Sequence, residues 1–353
     1  MSVYQEAVIA LLPAGHPYTV EPVSGGLINY SCKVKDLQTG HTFLLQKINR
    51  DVFSEPEKIQ SNYQQLRNFI TQNDLPFFIP EIIYFRGHQL LFTDQSQDYW
   101  RAFEFIENGQ SLSGTRDPLQ AAAVAGTFAR FTATFSKLDS KLLHTILPGF
   151  HDVKSRYDQF NSALSQASSA RLEKAAYLIS ELINRQRYAG LYQHFTRSTD
   201  FKLRVMHHDA KIANVLFDKA TGKLICPVDL DTVMPGYFFS DLGDMIRSMA
   251  GTADENSTDY EQIQIRPDIY QAVMDGYTQG INELLTDAEK EYLHAAGILL
   301  IYMQALRFMT DYLGNDRYYR ISYPEQNYDR AKNQLVLLNR LEDFLSNNYK
   351  FTC

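Results

Sequence analysis

The sequence predicts an α+β fold in two lobes, strand-rich first and mainly helical second. Three observations carry this. Short runs of strand formers separated by turn residues fill most of the first hundred positions. Long apolar patterns at helical spacing dominate from Leu119 onward. One β-rich island, Val205–Val233, interrupts those helices.

In the first lobe, Tyr30–Val34 and Thr42–Ile48 read as strands joined by a turn at Lys35–Gly40. Upstream, Ser24-Gly25-Gly26 lets backbone approach a ligand closely. Ser54-Glu55-Pro56-Glu57 fits a helix start with a capping box and an early proline. Ile59, Tyr63, Leu66, Phe69 and Ile70 then recur at helical spacing. Gln89–Thr93 and Trp100–Phe105 are further strand candidates. The polar stretch Glu107-Asn108-Gly109-Gln110 reads as a turn, so the expected lobes are residues 1–104 and 105–353. Helices are expected at Leu119–Leu138, Leu172–Arg185, Glu289–Leu313 and Gln326–Leu345.

Composition narrows the function. The chain has 353 residues and a formal net charge of −7, which argues against a duplex nucleic-acid partner. It leaves room for a nucleotide, since a few cations and a metal suffice locally. The cysteines, Cys32, Cys226 and Cys353, are odd in number and far apart, which fits a reducing compartment. The apolar run Ala7–Leu12 is short and follows Glu6, unlike a signal peptide, and no run approaches the ~20 apolar residues of a spanning helix. A soluble, cytoplasmic protein without a membrane partner is the expectation.

The island carries the chemistry. Val205–Asp218, the turn Lys219–Gly222 and Lys223–Asp231 read as a loop, a hairpin and a second loop, with acids at both ends. His207, Asp209 and Asn214 satisfy H-x-D-x-x-x-x-N, and Asp229 ends the returning strand. Phosphoryl transfer needs these types: a carboxylate to orient the acceptor hydroxyl and take its proton, and hard oxygen ligands for Mg²⁺. Structure alone offers another account, with Asp209 as a loop cap, Asn214 as a turn residue and Asp229 as a strand-end acid. His207 fits a loop-holding role better than a chemical one.

These residues, followed by Phe239-Ser240-Asp241-Leu242-Gly243-Asp244, resemble the aminoglycoside phosphotransferase and choline kinase superfamily. The stretches HHDAKIANVLFD, VDLDTVMPG, SDLGDMIRS, LPGFHDVKSRY, RFMTDYLGNDRYY, SGGLINYSCKV and LLQKINRDVFSEPE resemble its N-acetylhexosamine 1-kinase branch. The resemblance implies a bilobal protein-kinase-like fold and transfer from ATP to the anomeric hydroxyl of N-acetylglucosamine or N-acetylgalactosamine. It implies Asp209 as catalytic base, Asn214 and Asp229 as Mg²⁺ ligands, Asp231 as an added support or metal contact, and Asp241 as a loop-stabilising acid.

Other sites are less defined. No G-x-G-x-x-G is present; Ser24, Gly25 and Gly26 are the phosphate-loop candidates, and a plain turn is the other reading. Gln46 and Lys47 both fall where a protein kinase carries its strand lysine. Adjacent strand residues face opposite ways, and charge favours Lys47. Glu57 fits either a partner for that cation or a cap. By resemblance, the segment from Glu104 to Ile106 offers backbone to adenine. Acceptor candidates are His151, Asp152 and Arg156; Asp244 and Arg247; and Arg307, Asp311 and Tyr312. Asp244/Arg247 and Arg307/Asp311, at i,i+3 and i,i+4, read equally well as surface ion pairs.

Overall fold

The computed structural model describes residues 3–23 and 28–353, so the phosphate-loop candidates Ser24, Gly25 and Gly26 lie outside the described residues. The expected α+β class is what the chain adopts: an antiparallel sheet early and helices later. No helix among the described residues is long and apolar enough to cross a membrane. The three cysteines are free thiols.

Two compact units form. The first comprises Met1–Gln110, Lys137–Leu147 and Leu216–Met234. The second comprises Ser111–Ser136, Pro148–Val215 and Pro235–Cys353. Two later segments belong with the first unit for identifiable reasons. The buried Asn62 side chain, on the helix Pro56–Gln72, donates to the carbonyls of His144 (2.8 Å) and Val233 (2.9 Å) and accepts from His144 N–H (2.8 Å). Gly109–Gln110 pairs antiparallel with the hairpin strand at Asp218 and Phe217.

The sheet of the first unit runs in the order Tyr18–Pro22, Tyr30–Asp36, Thr42–Lys47, Tyr99–Glu104 and Ile82–Ile83, with Phe92–Thr93 also on Tyr99–Glu104. Its register places Gln46 opposite Arg101 and Lys47 opposite Trp100. Cys32, Val34, Leu45, Trp100 and Ala102 bury one sheet face against Ala7 and Val8 of the first helix, Gln5–Leu11. The expected strand Gln89–Thr93 shrinks to its last two residues, with Gln89 making an isolated bridge to Phe85. The capping box at Ser54 does not form. Glu55 is the N-cap, directly before Pro56, and no side chain caps it. The box that does form is Thr286 with Glu289, both reciprocal hydrogen bonds being present.

In the second unit, Pro118–Thr134 packs along Pro267–Ile281. Gly276 and Gly280 permit this. A Cβ on Gly276 would sit 2.2 Å from the Ala122 carbonyl oxygen, and one on Gly280 2.5 Å from the Ala129 Cβ. The expected helix Glu289–Leu313 is two, Asp287–Glu291 and Ala295–Leu313, the second buried along nearly its whole length. Gln326–Tyr349 packs against it. The buried Arg204, on the strand Arg204–Met206, makes a two-pronged ion pair with fully buried Glu289 (2.6 and 2.8 Å).

Candidate active site

In the second unit the loop that carries Asp209 and Asn214 begins where the buried strand Arg204–Met206 ends. His207 and His208 both present their backbone N–H groups to the Asp241 carboxylate, at 2.9 and 2.7 Å. Asp241 is fully buried near the start of the helix Phe239–Met245. Burial pushes its carboxyl up to about 7, the two N–H bonds working the other way. The His207 ring lies edge-on to Phe128 and Phe131, and its Nδ1 accepts from Asp209 N–H (3.3 Å). It holds the loop.

His208 takes the left-handed conformation, φ 65°, a geometry that costs a side-chain-bearing residue roughly 1–2 kcal/mol. Room for its ring exists because residue 236 is glycine; a Cβ there would lie 2.5 Å from His208 Cε1. The turn leaves Asp209 displayed. Its Oδ2 accepts from Lys211 Nζ (2.9 Å) and Asn214 Nδ2 (2.7 Å), and its backbone carbonyl accepts from the same Asn214 amide (2.8 Å). Burial would raise the Asp209 pKa, but the Lys211 ammonium, His207 and the Asn214 hydrogen bond together hold it below its ordinary value. Asp209 is thus an ionised acceptor at neutral pH. Asn214, having given its amide protons to Asp209, has its amide oxygen left to act as a hard ligand. Lys211 was passed over in the sequence; its signal was the two-residue spacing from Asp209.

A cationic and aromatic cluster borders this loop. His151 stacks on Phe150 (4.6 Å) and meets the His208 ring edge-on (5.2 Å). Burial, with His208 and the guanidinium groups of Arg307, Arg247 and Arg156, drives the His151 pKa well below the usual histidine value, so its ring is neutral. Arg307 lies over Phe150 (5.3 Å), Tyr319 (5.5 Å) and Tyr318 (5.9 Å) and donates to Gln304 (3.0 Å). Arg156 donates to Gln159 and to the Phe150 carbonyl. Among the described residues neither Arg156 nor Arg307 has a carboxylate at ion-pair distance, and Arg156 Nε is buried without a partner. Asp244 and Arg247 do pair, at 2.8 Å, but as a buried couple with Glu255 (3.0 Å) rather than a surface pair.

Three acceptor candidates are used otherwise. Asp152 N-caps the helix Val153–Gln166, accepting from Ser155 N–H at 2.8 Å. Asp311 does not pair with Arg307. Its two oxygens accept the backbone N–H groups of Arg317, Tyr318 and Tyr319 and the Asn327 amide, all at 2.8–2.9 Å. It shapes the loop that carries the two tyrosines. Tyr312 faces Arg171 (4.6 Å) and Tyr328 (5.4 Å), away from the Arg307 set.

In the first unit, neither strand candidate is an unengaged cation. Lys47 pairs with Asp98 at 2.8 Å. Gln46 donates to Ser31 (2.9 Å) and accepts from Arg101 Nε (3.1 Å). Glu57 neither caps its helix nor meets Lys47; it hydrogen-bonds Tyr99. Glu104 N–H donates to the Glu81 carbonyl (2.8 Å), and the Ile106 carbonyl accepts from Gly109 N–H (3.2 Å). Asp229 is left-handed, φ 60°, at the start of the turn Leu230–Thr232. Asp231 in that turn is buried against Arg101.

Residues 19–277 match the model of the phosphotransferase enzyme family. Among solved structures, an aminoglycoside phosphotransferase from Alicyclobacillus acidocaldarius superposes with a TM-score of 0.63 at 13% identity, covering 97% of this chain and 96% of that one. A microcompartment-associated aminopropanol kinase gives 0.60 at 16% identity, with 98% of each chain covered. A spectinomycin phosphotransferase in complex with ADP and spectinomycin gives 0.54 at 16% identity, covering 92% and 93%. At these identities the likenesses establish the fold.

Asp241→Asn tests the loop anchor. The amide nitrogen cannot accept, so one of the two buried N–H groups loses its partner, at about 1–3 kcal/mol. Denaturant unfolding is expected to show that loss, and turnover to fall with it. Unchanged stability and turnover would remove Asp241 from the account.

Proposed function

We propose that this chain, which belongs to the phosphotransferase enzyme family, is an ATP-dependent kinase that phosphorylates the anomeric C1 hydroxyl of an N-acetylhexosamine. The observation that carries the reaction type is the Asp209 carboxylate held ionised between Lys211 and Asn214. Asp209 accepts the proton of the sugar hydroxyl as the oxygen attacks the γ-phosphorus and the bond from that phosphorus to the β–γ bridging oxygen breaks, releasing ADP. Lys211 balances the charge of Asp209 and of the transferring group. His207 and Asp241 hold the loop still.

The donor set suits Mg²⁺: the amide oxygen of Asn214 and the carboxylate of Asp229 are hard oxygen ligands. Mg²⁺, when bound, offsets the charge on the nucleotide phosphates. The relative solved with ADP supports an adenine nucleotide. Ser24, Gly25 and Gly26 are the proposed phosphate-contacting backbone, and Glu104 to Ile106 the proposed adenine edge. Lys47 is not favoured for the phosphates while it pairs with Asp98.

The acceptor is argued from charge. Solved relatives include an aminopropanol kinase and aminoglycoside phosphotransferases, whose acceptors carry amines. A cationic acceptor calls for acids that are not already paired. Among the described residues of the cluster, the guanidiniums of Arg156 and Arg307 are without ionic partners, while Asp152, Asp244 and Asp311 are engaged. Guanidinium donors, a neutral His151 and the faces of Phe150, Tyr318 and Tyr319 suit a neutral polyol with an amide carbonyl. Asp152, Asp311 and Tyr312 then act by shaping the pocket.

Two outcomes follow. Asp209→Asn is expected to cut kcat by ~10²–10⁴-fold while calorimetry shows Mg-ATP binding little changed; near-normal turnover would remove Asp209 as the base. Arg307→Ala is expected to raise KM for N-acetylhexosamine by ~10–100-fold, with KM for ATP nearly constant. Small, equal effects on both substrates would take Arg307 out of the acceptor site.

A further inference from the structure

Asp229 can serve as a metal ligand only if its turn is held in a conformation that a residue with a side chain seldom adopts. Its φ of 60° and ψ of 53° lie in the left-handed region, and Leu230–Thr232 follow as a tight turn. Such geometry persists where the surroundings over-determine it. Two residues along that turn, the Asp231 carboxylate is 3% exposed and Arg101 2% exposed. They meet at 2.5 Å through Nη1 and 2.9 Å through Nη2. Arg101 is itself fixed. It sits mid-strand in Tyr99–Glu104, hydrogen-bonded on one side to Thr42–Lys47, and its Nε donates to Gln46 (3.1 Å), which is held in turn by Ser31 (2.9 Å). Asn29 donates to the same Asp231 carboxylate at 2.7 Å and accepts the Asn49 N–H at 3.0 Å.

Stability is a poor explanation for this pair. Desolvating two charges offsets most of their attraction, and buried pairs replaced by apolar residues often leave a protein as stable or more so. What the pair does uniquely is tie one turn to three strands in a fixed register. We propose that Arg101, acting through Asp231 and steadied by Gln46 and Asn29, is the positioning residue that sets the Asp229 turn for a divalent cation. Asp231, held on both oxygens by Arg101 and on one by Asn29, serves in this proposal as a support for the metal carboxylate rather than as a ligand. This inference rests on the reading of Asp229 as a metal ligand.

The test is Mn²⁺ affinity in the presence of ADP, read by electron paramagnetic resonance, on the full chain. ADP binding in EDTA and the thermal midpoint are measured alongside. Outer supports of metal ligands typically contribute ~10–100-fold in affinity. The double variant Arg101→Met/Asp231→Leu carries no unpaired buried charge. It is expected to fold and to bind ADP without metal as the wild type does, but to bind Mn²⁺ ~10–100-fold more weakly. A folded double variant with wild-type Mn²⁺ affinity overturns the proposal. Should the double variant not fold, Asn29→Ala removes one hydrogen bond to Asp231 and leaves the ion pair; a ~2–10-fold loss of Mn²⁺ affinity is expected, and none overturns the proposal. Asp229→Ala separates the two levels. Normal Mn²⁺ binding in that variant sinks the metal-ligand reading itself, whereas loss there with retention in the double variant sinks only the role of Arg101.

Discussion

Both N–H groups at the head of the loop that carries Asp209, those of His207 and His208, end on one carboxylate, that of Asp241, and the placement of the loop depends on that anchorage. With His207 and His208 pinned, the chain turns through the left-handed region at His208 and delivers Asp209 at a fixed point. Gly236 leaves the space that the His208 ring fills. Lys211 and Asn214 then reach Asp209 from within the same short loop. A carboxylate so placed is ionised without being neutralised by a full ion-pair fork, which suits a group that must take a proton from a hydroxyl.

Three acids, Asp152, Asp241 and Asp311, organise backbone. Asp152 caps a helix, Asp311 collects three loop N–H groups and an amide, and Asp241 collects two. Their occupation has a chemical consequence. Among the described residues it leaves Arg156 and Arg307, beside Phe150 and His151, without an ionic partner, so this cluster presents donors and aromatic faces. Hydrogen-bond donation to carbonyl and hydroxyl oxygens is the recognition such a surface performs.

Much of this was legible in the sequence. The strand-forming runs, the helical periodicity after Leu119 and the spacing of His207, Asp209 and Asn214 are local signals, and local hydrogen bonds realise them. The helix Val153–Gln166 was missed because only Val153 and Phe160 are buried, too sparse a stripe to show periodicity. The Ser54 box failed because Pro56 opens the helix one residue after Glu55, leaving Ser54 outside the cap position. Asp311 looked like a partner for Arg307 at helical spacing, yet its partners lie in a loop six to eight residues onward. Arg101 and Asp231 stand 130 positions apart, and no local pattern links them. Sequence periodicity reports which face is buried; it does not report which polar group a buried carboxylate meets.

The family membership gives a phosphotransferase; that it moves the γ-phosphoryl group of ATP to the C1 hydroxyl of an N-acetylhexosamine is what we propose. Phosphorus-coupled NMR of the product, formed from ATP, Mg²⁺ and a mixture of N-acetylglucosamine, N-acetylgalactosamine, choline, aminopropanol and an aminoglycoside, tests it most directly. The account predicts a phosphate coupled to the anomeric proton of an N-acetylhexosamine, with the amines untouched. A phosphate on an amino alcohol or aminoglycoside, or on a sugar carbon other than C1, would contradict it.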